Sequence, residues 1–181
     1  MAKKAVAKPK GASDVKSVLA WLESLGSDRV REDMSKRFSI HTDKAWGVMM
    51  RDMQKVARSI GTNHPLAQQL WKTGWYEARM VATMIADPAA LKVGELNQWM
   101  KDVEDHVVGD AVGGVIALSK HGKSKAEKWR DAKGELLSYV GWSITARLAM
   151  NDAELEDEYF KPLVEQIEMR IHSAPNWTRY G

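Results

Sequence analysis

The most reactive side chains of the sequence lie in one short stretch, at Glu104, Asp105, His106 and Asp110. His106 and Asp110 are four residues apart, so a helix would place them on one face. They could bind a metal ion, take part in catalysis, or form a structural hydrogen bond, which is the commonest role of such a pair. A metal would need further donors, and the other four histidines lie in unrelated parts of the chain, so we predict no metal site.

Two further sets of residues could serve either function or folding. Glu77 and Arg79 lie in an otherwise apolar segment, which indicates a buried ion pair or a functional surface, the former being commoner. Trp46, Trp142 and Trp177 fall outside the regular spacing that three other tryptophans share. Such rings could contact a nucleobase or a deoxyribose, although rings of this kind are more often partly buried in the fold. The sequence leaves both questions open.

Composition excludes several classes of protein. The 181 residues are 44% hydrophobic and 28% charged, which is typical of a globular chain with a sizeable core. There is no cysteine, so a disulfide framework, a thiolate zinc site and a cysteine nucleophile are impossible. The sequence also has no apolar run of roughly 18 residues, no phosphate-binding glycine loop and no serine nucleophile elbow. We therefore expect a soluble, cytoplasmic protein.

The net charge of +3 comes from the N-terminus. Four lysines lie in MAKKAVAKPKG, and we interpret residues 1–12 as a disordered basic tail that either adds affinity for nucleic acid or merely aids solubility. The rest of the chain has 23 basic and 24 acidic residues, so it is close to neutral. A phosphate-binding surface would therefore require cations segregated onto one face.

Apolar residues recur at helical spacing along the chain, which predicts an all-α protein. The first helix begins at Ser13 or Asp14 and ends at Gly26, and the second follows from Ser27 to about Phe38. A third ends at Gly61. A last amphipathic helix covers about residues 160–171, with Pro162 in its first turn.

From His64 onward the chain repeats about every 30 residues, which is typical of stacked antiparallel helix pairs. Each repeat has a tryptophan near the end of one helix and an acid, six residues later, that opens a second: Trp71 and Glu77, Trp99 and Asp105, Trp129 and Glu135. These tryptophans are expected in the core. We predict one helical-repeat domain over residues 13–181, whose last pair is barely begun and indicates a truncated array or an atypical cap.

The segment HVVGDAVGGVIAL is ambiguous, because its glycines and β-branched residues also suit a strand and a turn. The phase of the repeat favours a helix. In a helix, Gly109 and Gly113 would share a face and permit close packing against a neighbour.

Three stretches of the chain have the most distinctive sequences: KRFSIHTDKAWGV, HPLAQQLWKTGWYEARMVATMIADP and NWTRYG. They resemble the AlkD-like family of DNA alkylation repair proteins, and the likeness covers roughly Ser27 to Gly181. The resemblance implies a HEAT-like α-α superhelix with a basic concave face that binds duplex DNA. It also implies hydrolysis of the N-glycosidic bond of N3- or N7-alkylated purines, without a cofactor.

The resemblance also assigns roles to single residues. Family members use an aspartate with nearby aromatic rings to stabilise positive charge on the departing sugar. That motif falls on His106 to Asp110, so Asp110 matches, while His106 stands where the family has tryptophan. The family's arginine position falls near Tyr139, and Trp177 is an imperfect match for a second tryptophan. We therefore predict Asp110 and His106 as catalytic, with Tyr139, Trp142 and Trp177 binding substrate.

The expected partner is duplex DNA with alkylated bases, bound by a monomer through its cations. The residues expected to contact DNA are Lys44, Arg51, Arg79 and Arg147. The alternative is a non-catalytic helical-repeat scaffold that holds a protein or undamaged nucleic acid. Cations gathered beside Asp110 would favour DNA, and scattered cations would favour the scaffold.

Overall fold

The computed structural model describes residues 14–152 and 154–181, and these contain eleven α-helices and no strand. The predicted basic tail lies outside the described residues. The helices are α1 Val15–Ser24, α2 Asp28–Phe38, α3 Met50–Ile60, α4 His64–Lys72, α5 Tyr76–Ile85, α6 Val93–Asp102, α7 His106–Ala117, α8 Gly122–Arg130, α9 Glu135–Asn151, α10 Asp157–Arg170 and α11 Asn176–Tyr180. Within these residues, no helix is both long enough and apolar enough to cross a membrane.

The helices form two compact units, of which the first ends at Ala90 and the second begins at Leu91. In the first unit α4 and α5 form a pair, and α5 also packs on α3. In the second unit α6 pairs with α7 and α8 pairs with α9, while α7 and α11 both pack on α9. The predicted helix pairs are thus present. The expectation of a single domain over residues 13–181 stays a prediction.

The repeated tryptophans lie in the core, as the sequence predicts. Trp71, Trp99 and Trp129 are each at most 5% exposed. The acid that follows each of them lies at the start of a helix: Glu77 is in the first turn of α5, Asp105 is the N-cap of α7, and Glu135 begins α9. The six-residue spacing between each tryptophan and the following acid therefore predicts where one helix ends and the next begins.

The ambiguous segment is helical and forms α7, which begins at a well-satisfied N-cap. The Asp105 carboxylate accepts hydrogen bonds from the backbone N–H groups of Val107 and Val108 at 2.8 and 3.0 Å. These bonds satisfy amides that have no partner within the helix. Burial nevertheless dominates the Asp105 carboxyl and raises its pKa.

The C-terminal region differs from the prediction at one helix. α10 begins at Asp157, three residues earlier than expected, so Pro162 lies in the second turn rather than the first. Asp157 and Glu158 lie in the first turn, where the helix dipole favours negative charge. The short helix α11 then follows and packs on α9.

Glu77 holds the loop between α2 and α3. Its side chain is fully buried and accepts hydrogen bonds from the backbone N–H groups of Trp46, Gly47 and Val48 at 2.8 to 3.2 Å. Arg79, the other half of the predicted charged pair, lies over the Trp71 ring at 5.3 Å. Glu77 thus has a role that differs from the two predicted ones, a buried ion pair or a functional surface: it accepts hydrogen bonds from the backbone of a loop in the same unit.

Gly141 allows α8 and α9 to touch backbone to backbone. A Cβ atom at this position would lie 2.7 Å from the Arg130 Cα atom, closer than any real contact. We expect Gly141→Ala to lower the free energy of unfolding by about 1–3 kcal/mol or more, because the two helices must separate. Thermal unfolding checks this.

The control for this substitution is Gly94→Ala, because a Cβ at Gly94 in α6 meets nothing within 4 Å. Alanine has a higher helix propensity than glycine, so Gly94→Ala should leave the free energy of unfolding unchanged or raise it slightly. Equal melting temperatures for the two variants would refute the packing argument.

Candidate functional site

Two helices of the second unit bring together the polar residues of the candidate site. His106 and Asp110 lie one turn apart on α7. Tyr139, Ser143 and Arg147 are spaced by four residues along α9, so they form a stripe on one face of that helix. Because α7 packs on α9, Asp110 meets this stripe.

Two side chains of α9 orient the Asp110 carboxylate. The Ser143 hydroxyl donates to Asp110 Oδ1 at 2.7 Å, and Arg147 Nη2 donates to Asp110 Oδ2 at 2.8 Å. Arg147 also donates to the hydroxyl and the backbone carbonyl of Ser143. The Asp110 side chain is still 42% exposed, so one carboxylate is held in place and reaches solvent.

The surroundings of Asp110 keep it ionised. Burial alone would raise its pKa, but the hydrogen bonds from Arg147 and Ser143 and the positive charge of Arg147 outweigh burial and hold the pKa below its usual value. Burial raises the pKa of the neighbouring Tyr139 phenol, and the charge of Asp110 raises it further. Tyr139 therefore remains a neutral hydroxyl that interacts with the carboxylate.

Glycines on α7 make room for this contact. A Cβ at Gly109 would lie 3.0 Å from Val140, and one at Gly113 would lie 3.6 Å from the Ser143 hydroxyl. A Cβ at Gly114 would lie 3.5 Å from the Arg147 guanidinium. The close packing predicted for Gly109 and Gly113 is thus confirmed, and it brings α9 within reach of Asp110.

An aromatic pair lies one turn before Asp110. The His106 and Trp177 rings stack with centroids 4.0 Å apart and planes 16° apart. Helix α11 presents Trp177, whose backbone N–H donates to the Glu135 carboxylate at 2.7 Å. The structure therefore joins two residues that the sequence separates by 71 positions.

The predicted substrate residue Trp142 faces a different feature. It lines a cavity of about 690 Å³ between α9, α10, α11 and the loop that follows α8, and the wall of this cavity includes Phe160 and Leu163. The Arg130 guanidinium lies 5.9 Å from the Trp142 ring. Trp142 thus belongs to a cavity of the second unit that apolar and charged side chains line together.

The four predicted DNA contacts are distributed between the units. Lys44 and Arg51 are exposed residues of the first unit, Arg79 covers Trp71, and Arg147 of the second unit pairs with Asp110.

In residues 14–152 and 154–181 no group of three or more acidic, histidine or cysteine side chains could hold a metal ion.

The main residue that the sequence interpretation placed elsewhere is the arginine of the site. The resemblance puts an arginine position near Tyr139, whereas the arginine that meets Asp110 is Arg147, two turns further along the same face of α9. Ser143 received no role from the sequence. The spacing of residues 139, 143 and 147 was the available signal, since it marks one helix face.

Asp110 also gives the protein a pH-dependent stability. The pKa of Asp110 in the folded protein lies below the usual 3.8. The ionised carboxylate therefore stabilises the fold above pH 3.8, and this stabilisation is lost as the pH falls through the lowered pKa. We expect the wild type to be more stable than Asp110→Asn at neutral pH, and the difference to shrink below about pH 4. Urea unfolding across this range checks the prediction. A difference that is independent of pH would contradict it.

Comparison with known proteins identifies the family. The chain belongs to the DNA alkylation repair enzyme family, whose sequence profile matches residues 18–181. A similar solved structure is described as representing a new family of proteins related to the HEAT-like repeat DNA glycosylases with affinity for branched DNA structures. It is 28% identical, has a TM-score of 0.84, and the match covers 92% of this chain and 72% of that one. The search of curated proteins gives no match.

These findings confirm the family resemblance and the all-α, HEAT-like fold. The family match includes α7, α9 and α11, so the Asp110 site lies within the matched residues.

Proposed function

We propose that this protein binds duplex DNA and hydrolyses the N-glycosidic bond of N3- or N7-alkylated purines. The observation that carries the proposal is Asp110, a half-exposed carboxylate that Arg147 and Ser143 fix and keep ionised. Membership of the DNA alkylation repair enzyme family supports the same conclusion.

The proposed reaction needs little acid catalysis. Alkylation makes the purine cationic, so when the bond between N9 and C1′ breaks, the purine takes the electron pair and leaves as a neutral base. Positive charge develops on the sugar, and a preorganised carboxylate stabilises it. Water then adds to C1′ and releases a proton to solvent. Asp110 has the charge and the exposure that this step requires.

The surrounding residues have separate proposed roles. The His106 and Trp177 rings would offer an aromatic face beside the sugar, and the Tyr139 hydroxyl would help to fix Asp110. Arg147 would position the carboxylate as well as meet phosphate. Lys44, Arg51 and Arg79 remain proposed phosphate contacts, and Trp142 remains a proposed substrate contact from the cavity side.

The direct test is release of free 7-methylguanine from a duplex that contains it. Release faster than spontaneous depurination would support the hydrolytic part of the proposal. Release at the spontaneous rate would contradict that part, whereas it would leave DNA binding to be tested separately.

DNA binding is tested by its dependence on salt. Lysine and arginine contacts to phosphate release bound counterions, so raising the salt from about 50 to 200 mM should weaken duplex binding severalfold or more. Fluorescence anisotropy with a labelled duplex measures this. An affinity that does not change with salt would argue against phosphate contacts and for a scaffold that binds protein.

A second candidate function is binding without catalysis, and one observation favours it. The centroids of the stacked His106 and Trp177 rings are 4.0 Å apart, which leaves no space for a base or sugar between them. The similar solved structure is described by its affinity for branched DNA rather than by excision. On this alternative the protein would bind branched DNA tightly and release no alkylated base.

A further inference from the structure

The first unit carries a second aromatic stack, far in sequence from Asp110. The Trp46 and Trp75 rings lie with centroids 3.8 Å apart and planes 7° apart. Trp46 belongs to the loop before α3, and Trp75 is the N-cap residue of α5. Both are half-buried, in contrast to the fully enclosed Trp71, so this pair forms part of the surface of its unit.

Backbone hydrogen bonds hold this stack in place from both sides. The buried Glu77 carboxylate binds the N–H group of Trp46, and the Trp46 carbonyl accepts from the Ser27 N–H at 2.9 Å. On the other side, the Tyr76 N–H donates to the Lys44 carbonyl at 2.9 Å. The rings are therefore already ordered, and fixing them would cost a stacking ligand little binding free energy.

A lysine flanks the stack. The Lys44 ammonium passes close to the turn before Trp75, because its Nζ would lie 3.4 Å from a Cβ at Gly74. Lys44 is exposed and forms no ion pair within residues 14–152 and 154–181. A pair of stacked, partly exposed rings and an exposed cation thus lie close together in the first unit.

We propose that Trp46, Trp75 and Lys44 form a binding site for an unpaired DNA base and its phosphate. Aromatic side chains bind bases of single strands by stacking, and a neighbouring cation binds the backbone. Bases within intact duplex are already stacked on their neighbours, so the ligand is a displaced or single strand. This inference rests on the proposed DNA binding and assigns the first unit a preference for flaps, gaps and junctions.

The test compares the full chain on two DNA probes, a perfect duplex and the same duplex with a single-stranded thymidine flap. The wild type should bind the flapped DNA more tightly. Trp75→Leu should lower the affinity for flapped DNA about tenfold, because base stacking contributes this much, and should leave the duplex affinity nearly unchanged. Phe38→Leu, at an exposed aromatic residue on α2, is the matched control and should change neither affinity.

Lys44→Gln gives a second measurement that does not disturb the stack. It should weaken binding to the flapped DNA and lower its salt slope by about one, as loss of one phosphate contact does. Because Lys44 is also a proposed duplex contact, the comparison between the two probes decides the question if Trp75→Leu fails to fold. A larger loss on the flapped DNA than on the duplex supports the base site, and an equal loss on both overturns it.

The outcomes separate the two proposals. A wild type that binds neither probe refutes DNA binding and the base site together. A wild type that binds duplex but shows no preference for the flap, or variants that keep the preference, overturns the base site alone and leaves the stack as a brace for the loop.

Discussion

Replacement of Asp110 by asparagine is expected to slow release of 7-methylguanine from duplex DNA by about 100-fold or more. Asparagine keeps the shape of the side chain and can still accept the hydrogen bond from Ser143. It carries no negative charge, so it cannot offset the positive charge that develops on the sugar. The unpaired Arg147 beside it would oppose that charge. Single-turnover release of the base, with enzyme in excess, measures the effect.

The control for this variant is Asp157→Asn. Asp157 also lies in the second unit, is exposed in the first turn of α10, and does not line the cavity beside Trp142. This variant should release base at the wild-type rate. If Asp110→Asn and Asp157→Asn both retain full activity, Asp110 has no role in the chemistry.

Glu77→Leu is expected to lower the free energy of unfolding by about 3 kcal/mol or more, because it leaves the backbone N–H groups of residues 46–48 buried without their acceptor. Leucine has a similar size, so the effect comes from lost hydrogen bonds rather than from a cavity. Urea unfolding at neutral pH measures it.

Glu158→Gln provides the comparison, since Glu158 is exposed and its pair with Lys161 lies on the surface. Surface ion pairs contribute little, so this variant should unfold at nearly the wild-type urea concentration. Equal midpoints for Glu77→Leu and the wild type would show that the amides of the loop find other partners.

The helix pairs were predictable from sequence because their signals are local. The tryptophans and the acids six residues after them mark helix ends and starts by spacing alone, and the structure places them there. The start of α10 was missed by three residues, since the apolar spacing begins later than the acidic first turn. Boundaries depend on capping more than on periodicity.

The candidate site was predictable only in part. Asp110 and His106 stand out by residue type and by their spacing within one helix. The partners of Asp110 lie 33 and 37 residues away, and the distance between α7 and α9 that brings them together is set by the glycines that face α9. The stack of Trp46 on Trp75 likewise depends on a buried carboxylate 31 residues from the loop it holds.

The most direct measurement of the central claim is the affinity for a duplex in which a protonated pyrrolidine replaces one deoxyribose. This ring carries the charge of the transition state, whereas a tetrahydrofuran at the same position is neutral. If Asp110 stabilises a cationic sugar, the wild type will bind the pyrrolidine duplex at least about tenfold more tightly than the tetrahydrofuran duplex, and Asp110→Asn will lose this preference. Equal affinity of the wild type for the two duplexes would contradict the account.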